Sequence, residues 1–199
     1  MIGPYGGKFP KAFEELTEQQ LNLLEATRHG VVAGVAGGLA EIAWVTLYAE
    51  ATGTDPATLA RGVTTAAGVS ALFPAAPIAL GVTIHMALAV TLGIALSFGW
   101  RVLSSHRLEI ANPHLFMLTA LVGVWAVNFF MVLPIISPAF IDLVPYPVSL
   151  VSKILFGLAA AEALRRQDAW ALKTRPGQYR ADAALIQGRL ADRNARKRE

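Results

Sequence analysis

The sequence predicts an all-α integral membrane protein, a bundle of four membrane-spanning helices, and three observations carry that prediction. Of its 199 residues, 54% are hydrophobic and only 16% charged, whereas a soluble domain carries about 25% charged residues. No Asp, Glu, Lys or Arg occurs between Arg61 and Arg101, nor between Glu109 and Asp142. Each gap holds an apolar run longer than the roughly 18 residues that mark a membrane helix. The third observation is Lys153, set inside another apolar run, VSLVSKILFGLAAAEA. A lysine at such depth costs about 2.5–3.5 kcal/mol on insertion scales, so it should face protein and have a partner.

Taken in order, residues 1–28 form a cytoplasmic N-terminal segment with an irregular Gly- and Pro-containing start. Thr17-Glu18-Gln19-Gln20 has the capping-box pattern, so a helix is expected to begin there and run into the membrane. Four glutamates precede the first apolar run. A signal peptide has a basic start instead, so the N-terminus should stay on the mature protein.

The transmembrane domain covers residues 29–166, with spans at 29–48, 77–100, 115–136 and 148–164. In the first span Gly30, Gly34 and Gly38 recur at four-residue stride, a groove that lets another helix approach closely, with Glu41 at its edge. Trp44 and Tyr48 suit the far interface, where aromatic rings collect. Thr54-Asp55-Pro56 starts a short helix expected to lie on the outer surface; a re-entrant segment over 56–76 is the alternative. Pro134, Pro138, Pro145 and Pro147 shape a second outer loop. Residues 167–199 form a basic cytoplasmic tail, in which Tyr179, Ala183, Ile186 and Leu190 make an apolar stripe on a charged helix.

Orientation follows from the basic residues. With four spans, 15 of the 17 Lys/Arg fall in the N-terminus, the middle loop and the tail, which places both termini in the cytoplasm. A bacterial inner (plasma) membrane location is expected. The basic tail should meet anionic headgroups.

Two columns of residues share one pattern. Pro77, Gly81, His85, Ala89 and Gly93 have the same spacing as Pro145, Ser149, Lys153, Gly157 and Ala161, with histidine where the lysine stands. The match suggests two parallel helical hairpin repeats. At about 1.5 Å per residue, Glu41, His85, Asn128 and Lys153 all fall in the outer half of the bilayer, one from each span. An intramembrane cluster of these four can carry protons or bind a small polar or ionic solute. It can equally be a satisfied lock that sets helix register. Gly30, Gly34, Gly38, Gly81, Ala89, Gly93, Gly157 and Ala161 are the helix-packing positions.

Several classes are set aside. The chain has no cysteine, so disulfides, Cys-ligated zinc and iron–sulfur clusters do not arise. His29 and His114 start spans at similar depth, but with no further haem signature they read as interfacial histidines, and no metal or cofactor is expected. No hydrolase, phosphate-loop or dinucleotide motif occurs, so no enzyme is expected. Nor does a nucleic-acid recognition module accompany the basic tail.

The segments "IHMALAVTLG" and "SKILFGLAAA", a polar residue followed by small residues at four-step spacing, resemble a loose group of uncharacterised bacterial four-helix membrane proteins. Some of that group carry a sodium:proline symporter label. The resemblance covers about residues 28–166 and implies no activity. The glutamate in the first of four short spans is also similar to that of small multidrug exporters, from which Lys153, the long outer connection and the tail depart. Two roles follow as expectations. One is an accessory or assembly subunit packing its glycine faces against a larger membrane complex. The other is a small oligomeric transporter or proton/ion-conducting bundle using the polar cluster.

Overall fold

The computed structural model describes residues 11–72, 75–105 and 112–174, and every regular element among them is helical. The chain divides into two compact units, Met1–Leu164 and Arg165–Glu199. The expected tail helix and the irregular start at 1–10 lie outside the described residues.

The first helix, α1 (Lys11–Thr52), is longer than expected: it starts at Lys11 and runs on through Thr17, the expected beginning. Its first 18 residues are rich in Ala, Leu, Glu and Gln, with neither Gly nor Pro before Gly30, so propensity carries the helix back to Lys11. It ends at Gly53, whose φ of +69° is the left-handed geometry of a helix stop. The Thr54 amide then donates back to the Ala49 carbonyl at 2.9 Å.

Helix α2 (Pro56–Ala66) begins as the sequence indicates, with the Asp55 side chain accepting from the Ala57 amide at 3.0 Å. Beyond Ala66 the chain turns at Gly68. At 11 residues α2 is too short to cross a membrane. It packs on α3 (Pro77–Ser105), where Gly81 lies against Ala60.

The third long helix is α4 (Pro113–Val127), capped by Asn112, whose side chain accepts from the His114 amide. It continues as a π-helical turn, Asn128–Val132, and a last α turn, α5 (Leu133–Ile136). The Leu133 amide reaches back five residues to the Asn128 carbonyl. Pro134 accounts for the widened turn: it has no amide hydrogen, and its ring would strike the carbonyl four residues earlier in an unbroken α-helix. The second outer connection, expected as a loop, holds a short helix, α6 (Pro138–Leu143). Phe140 and Leu143 of α6 lie against Gly62 of α2. Helix α7 (Tyr146–Thr174) follows.

Four segments are long and apolar enough to cross a membrane: Leu23–Thr52, Pro77–Ser104, Pro113–Ile136 and Tyr146–Gln167. Their shared core contains Ala33 of α1, Ala89 and Leu96 of α3, Met117 and Leu121 of α4, and Phe156, Ala160 and Ala161 of α7. Inside lipid, moving these side chains from hydrocarbon to protein gains little hydrophobic free energy, so close contact is what holds the helices together. The α1–α3 crossing shows this most clearly. A Cβ on Gly34 would lie 2.6 Å from the Ala89 carbonyl oxygen and the Val90 Cα, and Gly93 faces Gly30 and Gly34 in return. Outward-facing positions remain apolar: Leu39, Leu47, Leu88, Val127 and Phe130 are exposed, and Ile135 is 83% exposed.

The two matched columns do not keep matched partners. On α3, Ala89 and Gly93 meet α1, and Gly81 meets α2; on α7, Gly157 meets Leu118 and Leu121 of α4, and Ala161 is fully buried in the core.

Candidate functional site

Glu41 follows Gly38 by three residues on α1, so the groove that admits α3 also carries the carboxylate inward. It is 2% exposed. One oxygen, Oε1, accepts from Lys153 Nζ at 2.6 Å and from Ser152 Oγ at 2.7 Å, both on α7. The other, Oε2, lies 3.5 Å from His85 Nε2 on α3. That nitrogen is buried and makes no hydrogen bond. The Gly38 backbone also faces the imidazole. Lys153, with its side chain 19% exposed, sits 5.9 Å from the centre of the Phe156 ring, near the outer limit of a cation–π contact.

Glu41, His85 and Lys153, contributed by three helices, thus meet in one cluster. Asn128 does not join them. It opens the π turn, partly buried, and among the described residues no hydrogen bond links it to the other three. The buried side of this span, from α4 through the π turn into α5, is Met117, Leu121, Trp125, Phe129 and Leu133. Asn128, one residue before Phe129, stands about 100° round the helix from that stripe.

Two participants were not singled out from the sequence. Ser152 is the neighbour of Lys153, and adjacent helical residues point about 100° apart, so a single-face reading passes it over. It reaches Glu41 because the carboxylate lies between the two directions. Gly37 sits beside the predicted column, and its missing side chain makes room for the Phe156 ring, which a Cβ there would meet at 2.5 Å. The Gly37-Gly38 pair was the available signal.

Tryptophans brace α7 on both sides. Trp44 of α1 donates to the Val148 carbonyl at 2.9 Å, and Trp125 of α4 donates to Ser149 Oγ at 3.0 Å. Both tie the start of α7, about one turn before Lys153.

These four long apolar helices, closed round one neutralised charge pair, decide the class. The chain is a multi-pass membrane protein. No protein-family profile, curated protein or solved structure matches it. Chemically, the arrangement pairs a buried carboxylate with an ammonium of opposite charge, and the serine adds a second donor. Among the described residues, no three His, Asp or Glu side chains gather as metal ligands.

Proposed function

We propose that this chain is a non-enzymatic subunit of the bacterial inner membrane, both termini cytoplasmic, that acts as an accessory or assembly partner within a larger membrane complex. What supports this reading is the filled interior. Phe156, Met117 and Leu121 are fully buried between the helices, where a solute pathway would have to run. Glu41 is held by two donors on one oxygen rather than facing an open space. The glycine faces are spent within the chain, on α3, α2 and α4. A partner would therefore meet the outward aliphatic and aromatic positions, not the glycine groove. The basic residues on the expected cytoplasmic side favour the stated orientation.

A second reading, a small oligomeric transporter or proton-conducting bundle, is favoured by one observation: His85 Nε2 is buried and unbonded beside a carboxylate. Purification in mild detergent separates the two. Co-migration with a large respiratory or transport assembly supports the subunit; a stable homo-oligomer without other chains supports the bundle. Lys153→Met adds a second test. Loss of assembly marks the cluster as structural, whereas normal assembly with lost flux marks it as a pathway.

A further inference from the structure

Two acceptors flank the His85 ring: Glu41 Oε2, 3.5 Å from Nε2, and the backbone of Gly38. A neutral imidazole carries one N–H, so it can serve one of them and must present a bare nitrogen to the other; an imidazolium serves both. Nε2 is buried and makes no hydrogen bond. Oε2 is short in the matching sense, since both of the donors that reach Glu41 end on Oε1.

The charges facing the ring are Glu41 from α1 and Lys153 from α7, which cancel; α3 itself carries no Asp, Glu, Lys or Arg before Arg101. A proton arriving at His85 thus enters a site with no net charge and gives Nε2 an N–H that faces Glu41 Oε2 across the α1–α3 contact.

We propose that His85 and Glu41 form a proton-binding site, in which Nε2 takes up one proton and donates it as a hydrogen bond to Glu41 Oε2, leaving Oε1 with Lys153 and Ser152. No bond other than N–H forms, and the cluster gains one positive charge. The site does not depend on whether the chain is an accessory subunit or a conducting bundle, since only local geometry is used.

The test is nitrogen NMR of the full chain in lipid nanodiscs, with ¹⁵N-histidine. Only four histidines are present, and His85→Gln identifies the signal. If that variant does not fold, substitutions at the other three histidines assign it by elimination. The expected result is a bare-nitrogen resonance at about pH 8 that is lost by about pH 5, the range in which histidine exchanges its proton. A His85 ring that keeps its bare nitrogen throughout overturns the proposal. The Glu41→Leu, Lys153→Met double variant removes the acceptor while leaving the interior neutral. There the bare-nitrogen signal should persist; its loss as in the unaltered chain overturns Glu41 as the proton's partner.

Discussion

Glu41 is answered unevenly, with two donors on one oxygen and an imidazole standing off the other. Removing either member of a buried pair leaves an uncompensated charge, which costs roughly 3–5 kcal/mol, while replacing both costs far less. Lys153→Met and Glu41→Gln should each lower the denaturant midpoint of the solubilised protein strongly, and the double variant should lose less than the sum. Additive losses would show that the two side chains do not act as a pair. Ser152→Ala withdraws one charge-assisted donor and should cost about 1.5–3 kcal/mol in the same measurement. Ser152 is also where residue-level reading stopped short: helical stride names the face that Lys153 shares, but a carboxylate lying between two directions accepts from both.

The α1–α3 crossing tests the elements. Gly34→Leu would drive a side chain into backbone at Ala89 and Val90, where neither a rotamer change nor a flexible side chain can relieve it. The variant should fail to form the bundle, read as loss of protection from protease in detergent. Gly123 is the contrast: nothing lies within 4 Å of where its Cβ would be. Gly123→Ala should leave the fold intact and raise helix stability by about 0.5–1 kcal/mol. The groove at Gly30, Gly34 and Gly38 was legible because small residues at fixed stride have few other uses in a membrane helix. The π turn was not, although Pro134 announces some break. A proline says that the ladder fails, and the surrounding packing determines whether the helix kinks, stops or widens.

For the whole molecule, topology is the accessible measurement. The chain has no cysteine, so single cysteines introduced one at a time report their side of the membrane without background. Asp55→Cys and Asp142→Cys should react with an impermeant maleimide added outside intact cells, and a cysteine in the tail should react only after lysis. Labelling of the tail from outside would reverse the proposed orientation.

Sequence alone determined the four spans, the short helix begun by Asp55 and the asymmetry of basic residues, because hydropathy, capping and charge act over a few neighbouring residues. It also singled out Glu41, His85 and Lys153, since an ionisable group in hydrocarbon needs a reason to be there. The tertiary structure alone decided that Asn128 stands apart, that Ser152 completes the carboxylate, that Phe156 needs Gly37, and that the matched columns of α3 and α7 face different helices. Those outcomes depend on how each helix is rotated and crossed against the others. In lipid that rotation is settled by close packing between residues far apart in the chain, which no local pattern encodes.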